Sequence, residues 1–189
     1  MTTIKDVIEA ANELAYSEAL DTDLPLVKHI DISTATGLRL AEELGANVDV
    51  VEAGTYFMDC MIGQAYKQKK LDKHVEMSRD AAADLMDKIK FDDKDAYTAI
   101  LKCVEEHHGG VDFHSLESEI CCNADCYRFI SIEGFISAVR YLRDMDFEDL
   151  VKLLRNKVDE KWNALTLDIC KEELEPQYKL INQMFEQLS

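Results

Sequence analysis

At 189 residues, of which 47% are hydrophobic, the chain can bury a sizeable core and is read as one domain spanning 1–189. The 21 basic residues against 38 acidic ones leave a net charge of −17, which argues against nucleic acid as a main partner because phosphate backbones are gripped by basic surface. Only 7 Gly and 2 Pro punctuate the chain and no apolar run approaches membrane-spanning length, so a many-turned β fold and a membrane span are both set aside in favour of long helices.

The start, MTTIKDVIEA, lacks the basic-then-apolar layout of a secretory signal, and the expectation is a soluble cytoplasmic protein with no membrane partner. In that setting Cys60, Cys103, Cys121, Cys122, Cys126 and Cys170 read as thiols and not as a disulfide framework. The strong negative charge itself reads mostly as a solubility device.

Residues 3–19 carry Ile4, Val7, Ile8, Ala11, Leu14 and Ala15 at helical spacing, which predicts an amphipathic first helix. Asp21 to Leu24 break it, and Pro25 suits the first turn of a second helix that runs to Leu44 and stops at Gly45. His29, Ser33, Thr36, Leu40 and Leu44 share one face of that helix. A third helix is predicted over about 48–68, with Val50, Gly54, Phe57, Met58, Met61, Ile62 and Ala65 in its stripe and Asp59 at the border.

The fourth, about 72–90, buries Val75, Ala82, Leu85, Met86 and Ile89 with His74 on the same side. Asp92 to Asp95 form a capped start for the fifth, whose apolar series Ala96, Ala99, Ile100, Cys103, Val104 ends on His107, with His108 off that face. Gly109-Gly110 open a short loop to His114. A sixth helix carries Leu116, Ile120, Cys121, Ala124 and Asp125, another runs from about Glu133 to Met145, and the segment Phe147–Leu188 is helical with Pro176 as a kink or interruption. With no strand-like alternation, the class is all-α.

A lone histidine on an apolar face is more often a satisfied core residue than a ligand, and a buried aspartate more often a cap or an ion-pair partner. Here three histidines, His29, His74 and His107, sit on the inward faces of three predicted helices, beside Asp59 and Asp125 at stripe borders. Buried imidazole and carboxylate need partners, and together they suit Mn, Fe or Zn, with Mg taking the carboxylates.

The order His29, Asp59, His74, His107, Asp125 resembles the HD-domain superfamily of metal-dependent phosphohydrolases. Leu40-Ala41-Glu42-Glu43-Leu44-Gly45 is similar to the end of the family's first histidine helix, and His74 is followed by Ser78, Ala81 and Ala82, like the family's histidine followed by small residues. Val104-Glu105-Glu106-His107 resembles the Ile-x-x-His step, and Glu117-x-x-Ile120-x-x-Asn123-Ala124-Asp125 the closing acidic segment. The tail from Leu165-Thr166 through Glu172 and Glu175 to Met184-Phe185 looks like the last helix of small stand-alone members, so the resemblance covers nearly the whole chain.

It implies an HD-like helical bundle with its core at about 20–145 and C-terminal helices 146–189 packed on it. It also implies a first metal on His29, Asp59 and Asp125 and a second on His74 and His107 with Asp59 shared. Either one or two divalent ions are allowed, Mn, Fe, Ni, Co, Zn or Mg. The implied activity is hydrolysis of a nucleotide or other small phosphate ester by a metal-bound water whose pKa the cation lowers, with Asp59 as the central catalytic residue.

The chain departs at the name-giving motif, where Met58 stands in place of the family's histidine. A thioether is a poor substitute for imidazole on a borderline ion, and Met58 reads as a core residue. This keeps a second reading open: a degenerate module of the same fold that binds metal or nucleotide for regulation. A non-haem iron oxygenase ranks third, because it would require a well-held pair of irons.

Lys67, Lys69, Lys70 and Lys73 cluster between Asp59 and His74. Of these Lys67, Lys70 and Lys73 are the candidate phosphate contacts, weighed against solvated residues favoured near a helix C-terminus. Cys122 and Cys126, one turn apart around Asp125, read as small hydrophobes ahead of a soft-metal pair. A homo-oligomer is left open.

Overall fold

The computed structural model describes residues 2–142 and 144–188, and among them there is no strand. Ten α-helices follow one another: α1 (Ile4–Thr22), α2 (Val27–Leu44), α3 (Val48–Phe57), α4 (Ile62–Lys67), α5 (His74–Lys88), α6 (Lys94–Glu106), α7 (Leu116–Ile130), α8 (Ile132–Tyr141), α9 (Phe147–Ala164) and α10 (Asp168–Glu186), with a single 3-10 turn at Leu71–Lys73 before α5. The all-α expectation is met. None of the described helices is long and apolar enough to cross a membrane.

The helix starts follow local chemistry. Thr3 and Asp6 form a capping box at α1, Ser115 and Ser118 one at α7, and the side chains of Asn47 and Asp93 accept the first free amides of α3 and α6. Gly45, at φ 73°, ends α2 in the left-handed conformation that a Cβ would disfavour.

α7 is the central rod. It packs against α2, α3, α6, α8, α9 and α10, and buries Ile120, Cys121, Cys122, Ala124, Cys126 and Ile130 completely. Around it, Val7, Leu40, Val51, Phe57, Met86, Ile100, Val104 and Leu174 join the main apolar core, while Phe135, Leu154, Val158, Ile181 and Phe185 form a second cluster between α8, α9 and α10. Each such side chain contributes about 1.5–3 kcal/mol by leaving water. All six cysteines are buried free thiols.

Four boundaries differ from the sequence pattern. The predicted 48–68 helix is two helices, because the chain tightens at Met58–Met61: Cys60 N–H donates to Phe57 O and Ile62 N–H to Asp59 O, while Met61 N–H donates across to Ser78 Oγ at 3.1 Å. Pro25 lies two residues ahead of α2 instead of in its first turn. The tail breaks at Leu165–Leu167, where Asn123 Oδ1 accepts the amides of both Thr166 and Leu167 at 3.1 Å, and Pro176 is accommodated inside α10. The predicted helix to Met145 passes through Arg143, which lies outside the described residues; its regular part ends at Tyr141.

Gly54 lets α3 approach α6. A Cβ there would stand 2.5 Å from Cys103 Cβ and 3.0 Å from Cys121 Sγ, with no flexible chain end to yield. Gly54→Ala is therefore expected to destabilise the fold by about 1–3 kcal/mol in urea denaturation. An unchanged midpoint would mean that the two helices are free to part.

Candidate metal centre

The tightened turn after α3 takes Asp59 out of helical phase and points its carboxylate inward, 6% exposed. His74 opens α5, and His107 and His108 follow the last residue of α6, so one carboxylate and three imidazoles converge from three places in the chain. One ligand atom from each of Asp59, His74, His107 and His108 falls within 4.8 Å of the others, a cluster that can hold a metal ion.

The orientation of the rings follows from their backbone partners. His74 Nδ1 lies 2.7 Å from Leu71 O and His107 Nδ1 2.7 Å from Val104 O. A carbonyl oxygen only accepts, so Nδ1 carries a proton in both rings, and in the neutral ring each Nε2 presents its lone pair. Those Nε2 atoms stand 3.4 Å and 3.5 Å from Asp59 Oδ1. Asp59 Oδ1 and His107 Nε2 are both buried without a hydrogen-bond partner. Two acceptors aimed at each other in a dry interior cost free energy unless a proton or a metal cation joins them.

His74 Nε2 and His108 Nε2 face each other at 3.0 Å, a separation that requires a proton or a cation between the lone pairs. Anchoring of a ring's far nitrogen on a carbonyl is how ligating histidines are commonly fixed. Imidazole and carboxylate suit a borderline divalent ion, so the residues fit the group.

The other oxygen of Asp59 has a different partner. Arg128, on α7, donates through Nη1 to Asp59 Oδ2 and also to Asp125 Oδ1 at 2.7 Å. Lys161, on α9, lies 2.5 Å from Asp125 Oδ2. All four residues are buried. Burial works against ionisation of both carboxyls. The Arg128 guanidinium nevertheless holds Asp59 well below the usual carboxylate range, and Lys161 followed by Arg128 does the same for Asp125. Burial likewise opposes the Lys161 charge, and Asp125 outweighs it to raise the ammonium above its ordinary value.

Of the residues expected from sequence, the structure thus brings together Asp59, His74 and His107, and adds His108. That residue escaped the helical-face argument because His107 is the C-cap of α6, still in helical conformation, and the turn beyond it swings His108 back towards His74. Asp125 joins through Arg128 and carries Lys161. His29 lies apart from the imidazole cluster: its Nε2 is 3.4 Å from Gly134 O, and its ring meets Phe129 edge-on at 5.2 Å between centroids. Met58 is buried at 1% exposure. Arg128 and Lys161 were not singled out from sequence. The signals existed: Arg128 lies one turn from Asp125 in an otherwise uncharged run from Ile120 to Ile130, and Lys161 continues the Leu154–Val158 stripe of α9.

Among the lysines, Lys67 Nζ donates to Asp21 O at 2.9 Å, Lys73 pairs with Glu76 at 3.5 Å, and Lys70 is exposed in the segment leading to His74. A cavity of about 160 Å³ opens beside His29, Arg128 and Phe129, walled by Leu24, Ile62 and Leu142.

No family model matches the chain. A Ribonuclease Y from Finegoldia magna is 30% identical over 148 residues, covering 74% of this chain, which itself spans only 26% of that relative's length. A crystal structure of a Lactobacillus plantarum protein superposes with a TM-score of 0.74 over 100% of this chain and 97% of that one, at 17% identity, a likeness of fold alone.

Proposed function

We propose that the chain is a metal-dependent phosphohydrolase of the HD type, acting on a nucleotide or another small phosphate ester. The observation that carries this reading is the pair of buried, unpartnered acceptors Asp59 Oδ1 and His107 Nε2, with His74 and His108 aimed at the same point. These four residues would hold the ion, and Arg128 and Lys161 would keep the supporting carboxylates in place. A divalent cation held there would supply an activated water and would neutralise phosphoryl charge.

His74 is half-buried and His108 lies at the surface, which gives the centre an open side on which a small substrate can meet it. Lys70 and Lys73, in the segment leading to His74, add positive charge for phosphate in an otherwise acidic chain. The similarity to a ribonuclease supports phosphodiester chemistry. The charge of −17 favours a small phosphate compound over a long polyanion.

The test is metal binding first and turnover second. Mn²⁺ titrated into the purified chain should bind, and His107→Ala should weaken it by roughly 100-fold, the loss of one imidazole ligand at about 2.7 kcal/mol. His107 is the better target than Asp59, which also holds Arg128. Phosphate release from a panel of nucleotides should then require the metal and fall with the same substitution. Metal bound stoichiometrically, with silence across the panel, would replace the enzyme by the regulatory module. Absence of binding would remove the metal reading.

A further inference from the structure

We propose that Arg128 is a resident cation that limits this centre to a single divalent ion. The inference rests on the metal reading above and concerns how many ions it takes. The two oxygens of Asp59 are divided: Oδ1 faces His74 and His107, whereas Oδ2 is taken by Arg128. The same guanidinium nitrogen reaches Asp125 Oδ1 at 2.7 Å, and Lys161 covers Asp125 Oδ2 at 2.5 Å. Two carboxylates and two cations cancel, so this side of Asp59 keeps no net negative charge to attract a second dication.

The space between the carboxylates is occupied as well as neutralised. Arg128 is 5% exposed and Lys161 3%, so neither is a surface side chain that happens to reach inward. A guanidinium stays charged throughout the accessible pH range, so acidity or alkalinity does not lift it out. The neighbouring groups offer no alternative ligand set: Met58 presents a buried thioether, and His29 is turned to Gly134 O with its ring against Phe129. On the imidazole side Asp59 Oδ1 and His107 Nε2 have no hydrogen-bond partner, whereas Asp125 Oδ2 is covered by the Lys161 ion pair. Removing Arg128 would leave two buried carboxylates facing one another, a donor pair suited to a hard dication.

Mn²⁺ bound to the full chain and counted after equilibrium dialysis, with electron paramagnetic resonance on the same samples, tests this. The wild type should hold one ion per chain and give the six-line spectrum of isolated Mn²⁺. Arg128→Ala should hold two, with the signal weakened by spin coupling, and Arg128→Lys, which keeps the charge, should hold one. Two ions in the wild type, or a single ion in a folded Arg128→Ala protein, overturns the inference and leaves the proposed function standing. If Arg128→Ala does not fold, the wild-type count decides, one ion supporting and two overturning. No ion in the wild type removes the metal reading and this inference with it.

Discussion

Asp125→Asn is expected to destabilise the protein by about 3–5 kcal/mol, read as a lower urea midpoint at an unchanged m-value. The amide is nearly isosteric, so the loss is electrostatic. Asp125 is 2% exposed and receives Arg128 on one oxygen and Lys161 on the other. With its charge gone, Arg128 keeps Asp59, but Lys161 retains only the more distant Glu160 at 3.7 Å. A buried ammonium without a close counter-charge costs several kcal/mol, whereas a network replaced whole by apolar groups can cost little. The double variant Asp125→Leu/Lys161→Met should therefore recover much of what Asp125→Asn loses. A loss below about 1 kcal/mol in the single variant would show that water reaches the pair and solvates it.

The second large effect is acid sensitivity through His29. Burial, followed by repulsion from Arg128, lowers this imidazole from its ordinary 6.5 to about 3. Above pH 6.5 the ring is neutral in both the folded and the unfolded chain. Below it the unfolded chain takes up a proton that the folded one refuses, so stability falls with pH down to about 3. The slope is about 1.4 kcal/mol per pH unit, on the order of 4–5 kcal/mol over the whole window. The depressed aspartates act in the same direction at lower pH, since their contribution is lost as they protonate.

His29→Leu isolates the histidine. Between pH 6.5 and 4.5 its stability should fall about 2.3 kcal/mol less than that of the wild type. Parallel stability curves for the two proteins would mean that the ring is protonated inside the fold. Denaturant titrations at four pH values across this window are sufficient.

Much of this was legible in the sequence because helical periodicity reports which side chains face inward. His107 closes a regular apolar series on α6, and Gly45 and Asp93 mark helix ends by their backbone preferences. Periodicity fails where the helix does. The turn at Met58–Met61 is made by Ser78 from another helix, so the direction of Asp59 depended on a contact 17 residues away in the chain. His108 lies beyond the end of α6 and so outside any helical phase.

Arg128 and Lys161 illustrate a different limit. Charged side chains on an apolar stripe are ordinarily read as snorkelling to solvent. Only the packing of α7 against α9 reveals that both turn inward to the same aspartate. The pattern Asp-x-x-Arg within an uncharged run is the local sign of such a pair.

Asn123 has a wider bearing than its role as a clamp. It fixes the joint after α9, four to six residues beyond Lys161, through Thr166 and Leu167, and so ties the tail to α7 at the point where Lys161 reaches Asp125. Docking of the tail and ionisation of Asp125 are therefore one linked equilibrium. Peeling α9 away raises the proton affinity of Asp125, and protonating Asp125 loosens α9. The tail is the counter-ion of the centre, delivered by the chain itself.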